Sequence, residues 1–380
     1  MNVVNKGDYM TKILFLIHDL GQGGAEKVLV NLVNNMDHTK FDITVISLFG
    51  GGVNEKFLSP KVKYKTVFSR MIPGNSKWMK LMSPRQLHRL CVKESYDIEV
   101  AYLEGPAVRV VSGCSNENTK KVAWIHCTMH SEKDIASSFR SYKEADKCYR
   151  SMDNIVCVSS EVEKAFIQHC PSCSGKSIVL YNTNESDKII EMSGKQVDDV
   201  DLSDNLFKWC GVGKLVPLKG FDRMLNIQKR LIDEEYASHL FILGIGPQKE
   251  ELEDFCERNN ISDSVTFLGY QKNPYKYISK CDLYACASHS EGFSTAATEA
   301  LIVGTPVCTV EVSGMKEMLG NNNEYGIVTE NSEEALYEGI KQLLDDPDLL
   351  KHYTDKAEER GKFFSTENTV RAVEEMLLSL

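Results

Sequence analysis

The chain has 380 residues, 42% of them apolar and 26% charged, and a formal net charge of −10. That length suits two domains of common size better than one core. The acidic balance speaks against bulk nucleic-acid binding, and no apolar run reaches the roughly eighteen residues of a transmembrane helix.

The first element is "KILFLIH" (12–18). Gly, Gln and Gly follow soon after it with no small-residue cleavage site, so a buried strand is expected here and not a secretion signal. A helix is expected from Gly24 to about Met36, then strands at "DITVISLF" (42–49), "DIEVAYLE" (97–104), "KKVAWIHC" (120–127), "NIVCVSS" (154–160) and "SIVLYNT" (177–183). Such continuous Val/Ile/Leu-rich runs suit strands covered on both faces, hence a parallel sheet between helices. The polar, acidic stretch 184–205 is the expected linker. The same rhythm then resumes with strands at 206–213, 239–246, 265–270, 282–288, 305–310 and 325–330. Helices are expected at about 219–235, 247–259, 294–303, 332–344 and 346–361. The expected architecture is α/β: two doubly wound Rossmann-like domains, 1–190 and 200–364, facing each other across a cleft. A terminal helix at 365–380 is expected to cross back onto the first.

Ligands of such sheets bind beyond the carboxyl ends of the strands. Three segments there carry chemistry. In "HDLGQGGAEKVLVNL", Gly21, Gly23 and Gly24 lie between a strand and a helix, where backbone can approach an anion. The spacing is not Gly-x-Gly-x-x-Gly, and the second strand ends without an acidic residue, so a nicotinamide dinucleotide is disfavoured. A plain tight turn is the bland alternative. In "GVGKLVPLKGFDRML", Lys214 and Lys219 put point charges suited to phosphate after a strand, although solvated loop lysines would look the same. In "EGFSTAATEA", Ser294 or Thr295 is a good N-cap, which leaves Glu291 in the loop and Glu299 inside the helix.

Taken in order, Gly23-Gly24-Ala-Glu26, Gly213-Lys214 through Lys219-Gly220, and Glu291-x7-Glu299 followed by "ALIVGTPV" resemble the retaining nucleotide-sugar glycosyltransferases of the GT-B fold, family 4. The likeness spans nearly the whole chain and is strongest from about 206 to 330. It implies a transfer of a hexose or N-acetylhexosamine from a nucleoside diphosphate sugar, UDP-sugar by preference, to a hydroxyl of a glycan or lipid-linked acceptor in cell-surface polysaccharide synthesis. By resemblance, Glu299 binds the donor ribose and Glu291 lies beside the donor sugar. Gly292, Phe293 and Ser294 offer backbone N–H groups, Lys219 neutralises the diphosphate, and Gly23 and Gly24 approach it from the other domain. The family usually has arginine where Lys214 stands, which keeps the charge and loses the bidentate fork. His126 is similar to a histidine near the reacting sugar; a satisfied strand-end histidine is the competing reading. No metal or other cofactor is implied. An epimerase on the same fold and a non-catalytic sugar-nucleotide-binding partner are the alternatives.

Other features read differently. "DVD" at Asp199–Asp201 resembles a metal motif of another glycosyltransferase fold but is expected to be a solvated charge run. The lone pair Cys170–Cys173 lacks the second pair a zinc site needs, and "CPSCSGKS" has cysteine where a P-loop requires its first glycine. The twelve cysteines sit mostly in apolar runs, as reduced core residues of a cytosolic protein do. Residues 70–93 carry six Lys/Arg and no acid, interleaved with Met71, Trp78, Met79, Leu81 and Met82. They form either a face for an anionic membrane, at the inner side of the cell envelope, or an amphipathic helix with a basic outside.

Overall fold

The computed structural model describes residues 10–380 except 22, 72–73, 201 and 203–204. The chain divides into two compact units, 1–183 with 367–380, and 184–366.

The first unit holds a seven-stranded sheet ordered β3-β2-β1-β4-β5-β6-β7. The strands are β1 (Thr11–Ile17), β2 (Phe41–Phe49), β3 (Lys63–Phe68), β4 (Ile98–Ala101), β5 (Lys120–Ile125), β6 (Asn154–Cys157) and β7 (Ser177–Val179). Every pairing is parallel, with β1 in the interior: Leu14 sits opposite Thr44 on one side and Glu99 on the other. Ile13 to Ile17 are fully buried, as a strand sandwiched between helices demands. β3 has no counterpart among the expected strands. It is an edge strand carrying Lys63 and Lys65, and edge charges of this kind discourage further pairing while erasing the apolar signal.

The second unit holds β8 (Phe207–Val212), β9 (Ser238–Leu243), β10 (Val265–Gly269), β11 (Leu283–Cys286), β12 (Val307–Val310) and β13 (Ile327–Thr329). Their order is β10-β9-β8-β11-β12-β13, again with every pairing parallel. The stretch expected to link the domains is largely part of this unit. Residues Ser186–Ser193 form a helix that buries Ile189, and the Asn273 amide and Ser279 hydroxyl donate to its last carbonyls, those of Met192 and Ser193. Asp199 accepts from the Tyr277 hydroxyl at 2.5 Å and pairs with Lys276 at 3.5 Å, which occupies its carboxylate; Asp201 lies outside the described residues.

All twelve cysteines are free thiols, ten of them buried, and Cys170 and Cys173 are both interior. The chain's final helix, Thr366–Leu378, belongs with the first unit apart from its first residue, and Glu374 accepts the Asp37 N–H at 2.6 Å.

The basic stretch is not one helix. Helices Asn75–Leu81 and Pro84–Cys91 are separated at Met82–Ser83, where Ser83 forms a reciprocal capping box with Gln86 and Pro84 takes the first helical position. The Ser-Pro-Arg-Gln signal was present in the sequence and went unread. Leu81 is 82% exposed and Met71 is exposed, whereas Trp78 meets Phe68 edge-on at 5.6 Å and Met79 is buried. Part of the stretch, residues 72–73, lies outside the described residues.

One buried side chain fixes this region. Arg109, 1% exposed, donates to the carbonyls of Met79 and Met82, both at 2.6 Å, and forks onto Glu144 at 3.2 and 3.1 Å. It satisfies the end of the first helix and the break after it. Arg109→Leu should therefore cost about 3–5 kcal/mol, because it strands a carboxylate and two carbonyls. Denaturant unfolding followed in the first unit checks this, and an unchanged midpoint would contradict the assignment.

Candidate active site

In the second unit the sheet grows in one direction from β8 through β10 and in the other from β11 through β13, so the crevice falls beyond the carboxyl ends of β8 and β11. Two loops leave there, 213–220 and 287–294. Lys219 ends a short 3-10 turn, Pro217–Lys219, and Gly220 follows in the left-handed region with φ 66°. A Cβ at Gly220 would stand 2.1 Å from the Ala287 carbonyl oxygen, so glycine is required both for its dihedral and for the approach of the loops. The His289 N–H closes the contact by donating to the Leu218 carbonyl at 2.8 Å.

With the loops locked, Lys219 Nζ lies 2.6 Å from Glu291 Oε1. The same oxygen accepts the Ser288 hydroxyl at 2.7 Å. These two residues, expected at the diphosphate and at the donor sugar, thus form a partly buried ion pair. Lys214 on the same loop is exposed and joins no ion pair among the described residues. The loop after β9 is laid alongside: Leu215 donates to Ile245 at 3.0 Å, and Gln248 donates back to Leu215 at 3.2 Å. The Gly-Ile-Gly of this loop marks a strand end as clearly as the other glycines do, but it was not singled out.

The helix Thr295–Ile302 starts where expected. Ser294 is its N-cap, accepting the Ala297 N–H at 3.3 Å. Gly292 is partly exposed. Phe293 is buried against Phe364 at 5.8 Å, so its ring anchors the loop. Glu299 is 4% exposed and accepts the Tyr275 hydroxyl at 3.2 Å. Ser288 and Tyr275 were invisible to motif reasoning because hydroxyls carry no spacing signature.

In the first unit the equivalent switch lies between β1 and β4. Asp19 follows β1, pairs with His18 Nδ1 at 2.6 Å and accepts the Gly21 N–H at 2.8 Å. Gly23 is the N-cap of the helix Gly24–Asn35 with ordinary extended dihedrals. Its small size serves Glu26, whose carboxylate oxygen lies 1.9 Å from where a Cβ would be. Gly24 faces open space. Burial pushes the Glu26 carboxyl up; a bond to its own backbone opposes this, and the charge of Asp19 adds to it.

Glu104 joins two further segments. One of its oxygens accepts the His126 N–H at 3.0 Å and the other accepts the Cys127 thiol at 2.9 Å. The His126 ring packs on Tyr102 at 4.9 Å and lies parallel to Trp124 at 6.4 Å, those two rings being 4.8 Å apart. Its Nε2 is buried and has no partner among the described residues. The ring also has a bond to the Tyr102 backbone, so the open position is at Nε2 alone. Burial pulls the imidazole down to about 4 against the opposing charge of Glu104, so the ring is neutral near pH 7.

This architecture is shared with known enzymes. Over 97% of this chain and 100% of the other, the fold matches that of Anabaena Alr3699/HepE in complex with UDP, with TM-score 0.76 and 18% identity. A glycosyltransferase from Rickettsia africae matches over 97% of this chain and 98% of its own, with TM-score 0.75 and 15% identity. These likenesses, with the two parallel-sheet units, establish a GT-B fold. The family model described as Glycosyl transferases group 1 matches residues 195–360, and the one described as Glycosyltransferase Family 4 matches 22–184. A Campylobacter jejuni relative, N-acetylgalactosamine-N,N'-diacetylbacillosaminyl-diphospho-undecaprenol 4-alpha-N-acetylgalactosaminyltransferase, is 28% identical over 97% of this chain and 100% of its own. An uncharacterized glycosyltransferase of Haemophilus influenzae is 24% identical over 95% of this chain and 98% of its own. The chain belongs to the group 1, family 4-like glycosyltransferases and is a transferase.

His126 gives a pH prediction. Its folded pKa, about 4, lies below the unfolded value near ~6.5, so the unfolded chain binds the extra proton between them. Its contribution to stability is complete above ~6.5 and falls as pH drops toward 4, by up to ~1.4 kcal/mol per unit. His126→Gln should flatten that fall relative to the parent in urea unfolding at pH 7 and pH 5. Parallel pH profiles would refute a buried neutral ring.

Proposed function

We propose that the protein is a retaining glycosyltransferase that moves a hexose or N-acetylhexosamine from a nucleoside diphosphate sugar, a UDP-sugar, to a hydroxyl of a lipid-linked or glycan acceptor during cell-surface polysaccharide synthesis. The observation that carries this reading is the Lys219–Glu291 pair at the switch point of the second sheet, one helix N-terminus away from buried Glu299. The UDP-bound Anabaena structure supports the choice of nucleotide, and the name of the Campylobacter relative supports a diphospho-polyprenol acceptor.

Expelling a nucleoside diphosphate places growing negative charge on its β-phosphate. Lys219 and the first turn of the helix Thr295–Ile302 supply positive potential there, with Lys214 adding a mobile charge. When Lys219 turns toward the phosphate, Ser288 keeps its hydrogen bond on Glu291, and the released carboxylate faces the cationic sugar that develops at the same time. Glu299, held by Tyr275, takes the ribose hydroxyls. In the first unit, neutral His126 offers Nε2 to a sugar hydroxyl, and Gly24 leaves backbone open to an anion, whereas the Glu26 carboxylate stands over Gly23. The acceptor hydroxyl attacks from the face the phosphate leaves, which keeps the anomeric configuration, and the leaving phosphate takes its proton. The reading needs no metal, since basic side chains and a helix end do the neutralising.

Donor identity is tested by thermal shift against a series of nucleotide sugars, since a bound ligand raises apparent stability by mass action. Hydrolysis of the binding donor without acceptor then reports turnover, and NMR of the product reports its anomer. Lys219→Ala should lower kcat by ~10²–10³-fold. Glu299→Ala should act mainly on donor KM, raising it ~10-fold or more. Near-parental kinetics in both variants would sink the site, and an inverted anomer would sink the retaining mechanism.

A cytoplasmic, peripheral location is part of the same reading. No helix among the described residues is long and apolar enough to cross a membrane. Exposed Arg85, Arg89, Lys93 and Leu81 instead offer cationic and apolar contact to an anionic surface. Co-sedimentation with anionic liposomes at low salt, weakening as salt rises, is expected. Failure to bind at low salt would remove the membrane from the proposal.

A further inference from the structure

Far along the chain from these loops, three potential ligands converge in the first unit. His88 comes from the helix Pro84–Cys91, Glu99 from β4, and Cys114 from the turn after the helix Pro106–Val111. One ligand atom from each lies within 4.8 Å of the other two. The convergence is built by close packing: a Cβ at Gly113 would stand 2.0 Å from the Pro84 carbonyl oxygen, so the turn carrying Cys114 rests directly on the start of the helix carrying His88.

The charges in this cluster need an explanation. Glu99 is 1% exposed on a strand whose other residues are Ile98, Val100 and Ala101. Both its oxygens crowd a single nitrogen, His88 Nε2, at 3.1 and 2.9 Å. One N–H cannot bond both well, and the Cys114 thiol bonds the same carboxylate. A divalent cation bound by the carboxylate, a thiolate and a neutral imidazole makes the set neutral.

We propose that His88, Glu99 and Cys114 form a zinc site that pins two helices to β4. Mixed nitrogen, oxygen and sulfur donors suit Zn²⁺ and disfavour Mg²⁺ or Ca²⁺, which take oxygen ligands. Ligand bonds of ~2.0–2.3 Å in a tetrahedron place donor atoms roughly 3.3–3.7 Å apart. The His88–Glu99 pair, at 2.9 Å, need open by only about half an ångström, and Cys114 Sγ, within 4.8 Å of both, close by at most roughly 1.3 Å to reach that geometry. Water completes the fourth position, since Cys114 is only half-buried. Binding displaces the Cys114 thiol proton to solvent, so affinity rises with pH. The site is distinct from the proposed sugar-transfer site and stands whether or not the proposed donor is right.

The test uses the full chain, stripped with EDTA and dialysed, then titrated with Co²⁺ as a spectroscopic stand-in. Stoichiometric uptake with a thiolate-to-cobalt charge-transfer band and tetrahedral d–d bands, displaced by Zn²⁺, is expected. Both signals should vanish in Cys114→Ser and in His88→Gln. A parent protein showing no charge-transfer band overturns the proposal without recourse to any variant. A band that survives Cys114→Ser overturns it too, by assigning the metal to another thiol such as Cys173. The thermal shift given by UDP should be the same in Cys114→Ser as in the parent, which separates this site from the donor site.

Discussion

The contact between the loops leaving β8 and β11 is the constraint on which the second unit's chemistry depends. Backbone meets backbone where Gly220 passes the Ala287 carbonyl, and the bond from His289 to Leu218 prevents the loops from parting. Because those contacts are made by main chain, the position of Lys219 is set before any side-chain interaction is counted. Its pairing with Glu291 then costs little ordering entropy, since both ends are already placed. A lysine on a free loop would have to be immobilised at the moment of reaction.

The first unit is arranged on the opposite electrostatic principle. Glu104 spends both oxygens on backbone and thiol donors, which organises the segment around His126 without charging the ring. Tyr102 and Trp124 shield that ring, and burial keeps it neutral. A neutral, orientable hydrogen-bonding group suits contact with hydroxyls, whereas the lysines of the second unit suit phosphate.

The fold was legible because the sheets are buried on both faces. Runs such as "KILFLIH", bounded by turn residues, point to buried strands, and β3 escaped because its Lys63 and Lys65 face solvent at an edge. Helix boundaries were legible where caps are local: Ser294 announces its helix. The break at Ser83 is equally local but was masked by the charge pattern of the surrounding stretch. Of the candidate site, the order of Lys219, Glu291 and Glu299 beyond strand ends could be read in one dimension. The pairing of Lys219 with Glu291, and the hydroxyls of Ser288 and Tyr275, depend on which strands become neighbours, and that is information the topology supplies. In the acidic segment 184–205, a helix burying Ser186 and Ile189 among polar neighbours carries a weak periodic signal.

The helix Thr366–Leu378 buries Val370, Val373, Met376 and Leu377 with the unit that begins the chain. Its residues are therefore translated only after the entire second unit has been. The first unit must wait through that interval with the surface for this helix uncovered. Synthesis of this protein thus has an order built into it: the second unit can fold as a continuous segment, while the first is finished last.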